Sequence, residues 1–128
     1  MNEKLETVHT DAAPQAIGPY SQAVRCGGWV FVSGQIPLEP ATGQLVAGGF
    51  DAQVNRVLEN VDAVLRAAGC SRASVVKTTA YLTDLARFAE FNEIYARFFG
   101  EHRPARAVVG VASLPRGAQV EVEAVAAG

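Results

Sequence analysis

The stretch Ala23-Val24-Arg25-Cys26-Gly27-Gly28-Trp29-Val30-Phe31-Val32-Ser33 decides the class of fold. Two short runs, Ala23–Cys26 and Trp29–Ser33, flank a Gly-Gly pair. This is the pattern of a β-hairpin with a two-residue turn in which both glycines can take positive φ. In Trp29-Val30-Phe31-Val32 both alternating faces are apolar, so this strand needs cover on two sides.

Further along, Asp51–Ala68 carries Val54, Val57, Leu58, Val61, Val64 and Leu65 at helical spacing. Gly48-Gly49 precede it, and Gly69 follows as a stop. A second helix is expected over Leu85–Phe99, capped by Thr83 or Asp84. Its core stripe is Phe88, Phe91, Ile94, Tyr95 and Phe98. Strands are expected at Lys4–His9, Ser74–Thr83, Ala107–Leu114 and Gln119–Ala126. The last two flank Pro115-Arg116-Gly117-Ala118, a four-residue turn that predicts a hairpin between them. The order β-β-β-α-β-α-β-β makes one α+β domain over residues 1–128, with six strands and two helices on one face of the sheet. The run Ala107-Val108-Val109-Gly110-Val111-Ala112 is also apolar on both faces. Two helices cover one face only, so the other face predicts self-association.

The chain of 128 residues is 49% hydrophobic and 19% charged, with a formal net charge of −2. A protein that grips phosphate backbones carries a basic footprint, which is absent from this balance. Cys26 and Cys70 stand far apart with no CxxC, and read as small hydrophobes in a reducing compartment. The opening residues have no apolar h-region, and no run of about 18 apolar residues exists, so neither a signal peptide nor a membrane span is expected. A cytoplasmic location follows as an expectation. His9 and His102 have no second ligand at metal spacing, and no P-loop, GxGxxG or GxSxG is present. Chemistry here would fall to Arg, Glu, Tyr, Ser, Asn and backbone groups.

Four segments are unusual: Ile17-Gly18-Pro19-Tyr20-Ser21-Gln22, Val32-Ser33-Gly34-Gln35-Ile36-Pro37, Phe91-Asn92-Glu93-Ile94-Tyr95, and Pro104-Ala105-Arg106 with the later Val120-Glu121-Val122-Glu123-Ala124. In this order and over about Glu6 to Ala126, the chain resembles the RidA/YjgF family. The resemblance implies a chorismate-mutase-like fold with a mixed six-stranded sheet, and a homotrimer with sites between subunits. It also implies hydrolysis of 2-aminoacrylate, 2-aminocrotonate and their imines to 2-keto acids and ammonia, with no cofactor and no metal. By that resemblance Arg106 holds the substrate carboxylate and Glu121 orients or activates water. Tyr20, Ser33, Gly34 and Asn92 line the cleft, and the Val108 backbone N–H can donate to substrate. Two features depart from the family pattern. Val108 stands where many members carry cysteine, and the loop Glu101-His102-Arg103 is shorter.

Each residue has a plainer reading. Arg106 can be a surface arginine at a strand start, and Glu121 and Glu123 the solvated face of an amphipathic strand. Tyr20 can cap a core, Ser33-Gly34 can end a strand, and Asn92 can sit on a helix surface. A trimeric carboxylate-binding module without turnover, or an RNA-directed inhibitor or ribonuclease, also fits the family. Geometry adds one constraint. With the predicted hairpin, Glu121 lies opposite Ala112, and Arg106 is roughly 20 Å further along the strand. If both line one pocket, they come from different subunits.

Overall fold

The computed structural model describes residues 4–128. The first hairpin joins β1 (Leu5–Val8), β2 (Ala23–Cys26) and β3 (Trp29–Gln35) as antiparallel neighbours. Cys26 faces Trp29 across the Gly27-Gly28 turn. Only Gly27 has positive φ, at 59°, so the expectation for both glycines is corrected. Glycine at the first central position suits a type II′ turn.

Helix α1 (Phe50–Ala67) follows. It has Gly49 at its N-cap with no side-chain cap, and Gly69 just beyond it at φ 79°. Strand β4 is Val75–Leu82, and helix α2 is Phe88–Phe99. Between them a short 3-10 turn, Leu85–Arg87, is capped by Asp84, whose carboxylate accepts from the Ala86 amide at 3.0 Å. Strand β5 spans Ala105–Gly110 and β6 Val120–Ala127.

The six strands form one mixed sheet in the order β1-β2-β3-β6-β4-β5. The expected hairpin between the last two strands does not form. Strand β5 runs parallel to β4, β6 runs antiparallel to β4, and β4 lies between them. Strand β5 already ends at Gly110, whereas the sequence reading carried it to Leu114. Residues 111–119 cross the end of β4 instead, stitched by Val111 N–H to Leu82 O at 2.9 Å and Thr83 N–H to Gln119 O at 3.2 Å. The Pro115–Gly117 segment is a 3-10 turn within this crossover. A local turn motif gave the bend correctly and the pairing partner wrongly, because pairing is decided by which strand end lies within reach.

Alternation along each strand sorts the two faces. Val30, Val32, Val75, Ala80, Leu82, Val120, Val122, Ala124 and Ala126 point inward and pack with both helices into one core. The aromatic stripe of α2 is shifted by a register from expectation. Phe91, Ile94, Tyr95 and Phe99 are buried, whereas Phe98 is half-buried and Phe88 is 42% exposed. On the face away from the helices, Trp29 and Phe31 are 48% and 49% exposed and Val109 41%. These large apolar side chains share one flat sheet face that no element among the described residues covers. No helix among the described residues is long and apolar enough to cross a membrane.

Candidate active site

Arg106 is the second residue of β5, an edge strand, level with Thr78 of β4. Its guanidinium donates to Asn92 Oδ1 of α2 at 2.8 Å. It also lies 4.9 Å from the Tyr95 ring centroid, 5.6 Å from Phe88 and 5.9 Å from Phe91. A cation over ring faces is held without spending its remaining donors. Tyr95 is fixed in turn by its hydroxyl against Thr78 Oγ1 at 2.7 Å. Arg103 and Pro104 complete a depression of about 270 Å³ around Arg106, Asn92 and Tyr95. Val108 sits on the same side two residues on, half-buried against the core.

Glu121 belongs to the other face of the sheet. Its neighbours Val120 and Val122 are buried under the helices, so Glu121 points away from them. It stands directly opposite Tyr81 of β4. On its other side β3 is irregular between Val32 and Gln35, and Ser33-Gly34 form that irregularity. Here glycine leaves room for the Glu121 carboxyl. A Cβ on Gly34 would overlap the Glu121 carboxyl and lie 2.9 Å from its Cδ. The resemblance places Gly34 in the lining of the cleft, and the group packed against it in the structure is Glu121. Burial, and then the charge of Glu123, push the Glu121 carboxyl above its ordinary value.

The rest of this second depression, about 300 Å³, brings Tyr20 and Ser33 beside Glu121 under an apolar rim of Ile17, Ile36 and Pro115. The Ser33 hydroxyl donates to Ser21 O at 2.6 Å, and its amide donates to Gln22 O at 2.9 Å. Tyr20 accepts from the Ile17 amide at 3.2 Å. The sequence reading missed what holds this loop. Gln22 is buried; its amide donates to Pro14 O at 2.8 Å and Thr10 O at 3.0 Å while accepting from Thr10 N at 2.7 Å. An apolar neighbour would leave those backbone groups unpaired. Tyr81, Glu123, Tyr95 and the apolar rim were also missed, since nothing in one sequence marks residues brought together by β4.

The predicted residues therefore fall into two groups. Asn92, Arg106 and Val108 share the helix side of the sheet; Tyr20, Ser33, Gly34 and Glu121 share the opposite side. Through β4, Arg106 and Glu121 are offset by three residues and two strands, about 10 Å in each direction. The spacing of 20 Å along one hairpin is replaced by this arrangement, which separates the two residues more decisively because the sheet stands between them. Among the described residues no group of three His, Cys, Asp or Glu side chains is placed to hold a metal.

Gly34→Ala tests the close approach. Because the obstructing atoms end a flexible side chain, the strand should hold and the Glu121 carboxyl should swing out, at a stability cost under about 2 kcal/mol. A crystal structure of the variant with Glu121 unmoved would show that β3 yields instead.

A mixed sheet backed by two helices carries an arginine held by rings at one edge and, on the opposite face, a half-buried carboxyl over a strand irregularity. The chain belongs to the YjgF/RidA family: the family model described as Endoribonuclease L-PSP matches residues 10–128. It is 50% identical over 121 residues to a RutC family protein of Pyrococcus abyssi, covering 94% of this chain and 95% of that one. It is 48% identical over 121 residues to a mouse protein named 2-iminobutanoate/2-iminopropanoate deaminase, covering 94% and 90%. The crystal structure of Escherichia coli TdcF with bound serine superposes with a TM-score of 0.92 at 45% identity, covering 96% of this chain and 98% of that one.

Proposed function

We propose that this single-domain protein is a hydrolytic deaminase of small 2-imino and 2-enamino acids, acting in the cytoplasm as a homotrimer without cofactor. The observation that carries the reading is Arg106. Asn92 and three rings fix its position while leaving donors free, as a bidentate partner for a small carboxylate requires. The mouse deaminase, at 48% identity over nearly the whole chain, supports that substrate class. So does the serine bound to TdcF, an amino acid of the same size and carboxylate.

In this reading the substrate carboxylate lies on Arg106 of one copy, and the imine carbon lies near Glu121, Ser33 and Tyr20 of the next. The Val108 backbone N–H lends a further donor. Water adds to the carbon of the N-protonated imine as the Glu121 carboxylate takes one of its protons, giving a neutral carbinolamine. The hydroxyl proton then passes to nitrogen, the C–N bond breaks, and ammonia leaves a 2-keto acid. Such intermediates also hydrolyse slowly unaided, so positioning two reactants supplies much of what is needed. The exposed Trp29 and Phe31 supply a face for assembly. A net charge of −2 favours a small-molecule substrate over RNA.

A coupled assay tests this directly. A pyridoxal-phosphate-dependent dehydratase generates 2-aminoacrylate or 2-aminocrotonate, and keto-acid release is timed with and without the protein. Acceleration proportional to protein concentration is expected; an unchanged rate overturns the reading. Light scattering at micromolar concentration should give about three times the 13.5 kDa chain mass. A monomer would leave the aromatic face uncovered and remove the shared site.

A further inference from the structure

Glu121 is not alone on its face of β6. Glu123, two residues on, projects to the same side. The Tyr81 hydroxyl donates to Glu123 Oε1 at 2.5 Å. In the ladder Tyr81 stands opposite Glu121, and Glu123 stands opposite Thr79. The phenol therefore starts level with one carboxyl and reaches diagonally to the other, a distance aromatic side chains span.

The surrounding elements do little to neutralise this pair. Strand β3 presents Phe31 and Ser33 on this face, and the loop before β2 brings Tyr20. Strand β4 brings Lys77 one alternation beyond Thr79. Arg116 is turned to Gly43 O at 3.3 Å. Among the described residues no ion pair includes Glu121 or Glu123. A carboxylate bonded to a phenol keeps its charge in place, and that charge faces Glu121.

We infer that Tyr81 and Glu123 are positioning residues for Glu121, fixing a negative charge beside it so that Glu121 enters the cycle as the proton donor to an enamine. This rests on the deaminase reading and adds its first step. The Glu121 O–H bond breaks and a C–H bond forms at C3 of 2-aminoacrylate, using the C2=C3 π pair. The nitrogen lone pair closes C2=N, leaving an iminium and a Glu121 carboxylate. That carboxylate then takes the proton of the water adding at C2, so Glu121 ends each cycle as it began. Burial and the Glu123 charge both raise the Glu121 carboxyl, in the direction this role requires. The Glu123 bond in turn raises the Tyr81 phenol, which keeps it a donor.

Glu123→Gln tests the inference, because an amide oxygen still accepts from Tyr81 while the charge is gone. A proton donor loses activity as pH rises through its own pKa. Removing the neighbouring charge lowers that pKa, so the falling limb of kcat/KM for 2-aminoacrylate should move to lower pH. The rate well below the limb should stay near wild type. A uniform loss at every pH with the limb unmoved would show a merely structural role and overturn the inference. The carbon-13 titration of the Glu121 carboxyl, assigned by its loss in Glu121→Gln, needs no turnover. Its midpoint should fall in Glu123→Gln and, by less, in Tyr81→Phe. An unmoved midpoint in folded variants refutes the coupling even if the protein proves to be no deaminase. A lowered midpoint without any deamination would instead discard only the reaction assigned to the site.

Discussion

Arg106→Ala should lower kcat/KM for 2-aminoacrylate by about 10²- to 10⁴-fold, the loss of two charge-assisted bonds of roughly 1.5–3 kcal/mol each. The fold should survive, because Arg106 is exposed on an edge strand and its side chain bonds only to Asn92. Arg106→Lys should recover little. It keeps the charge but loses the planar fork that engages a carboxylate and an amide oxygen together. The reaction is followed by keto-acid release in the coupled assay, with circular dichroism as the folding control. Near-wild-type rates in Arg106→Ala would remove the carboxylate anchor and the mechanism with it.

An effect of similar size, in the opposite direction, is expected on mixing two dead proteins. Arg106 and Glu121 lie on opposite faces of one sheet, so a substrate a few ångströms long cannot touch both within one chain. Arg106→Ala and Glu121→Ala proteins, each inactive, are unfolded, mixed in equal amounts and refolded. In a cyclic trimer each site draws its arginine from one copy and its glutamate from the next. About a quarter of the sites then regain both residues, and activity should return to about that fraction of wild type. Heterotrimers confirmed by native mass spectrometry, with no recovered activity, would place Glu121 outside the site.

The two lines of reasoning about Arg106 and Glu121 show what one sequence discloses. Their separation follows from the sequence, but by a hairpin that does not exist; the real cause is β4, which enters between β5 and β6. Local signals served well where the partner is local, as in the Ala23–Ser33 hairpin, the helical repeat of Val54 to Leu65 and the Asp84 cap. They failed where geometry is set by elements far apart in the chain. Nothing near Gly34 announces that the carboxyl of Glu121, eighty-seven positions later, lies over it. Nothing near Tyr81 announces Glu123. The stripe on α2 was misjudged for a related reason. Periodicity finds a helical face, but the inclusion of Phe88 or Phe99 depends on the tilt of α2 against α1, which is a packing outcome.

The position of β6 also has a consequence for how the molecule comes into being. It is the last of the six strands to be synthesised and lies near the centre of the sheet, between β3 and β4. Until it arrives, β3 has one antiparallel neighbour, and β4 and β5 have no strand pairing to the first three strands. A nascent chain ending near residue 115 thus exposes two unpaired strand edges, the kind that recruit stray strands. At about 5–20 residues per second the ribosome leaves that gap open for roughly a second or more, and long-range pairing then closes it slowly. Because Glu121 is carried on β6, the strand that joins the two halves of the sheet also brings the Glu121 carboxyl to its place against Gly34. A chain that stops short of β6 therefore lacks both the closed sheet and that carboxyl.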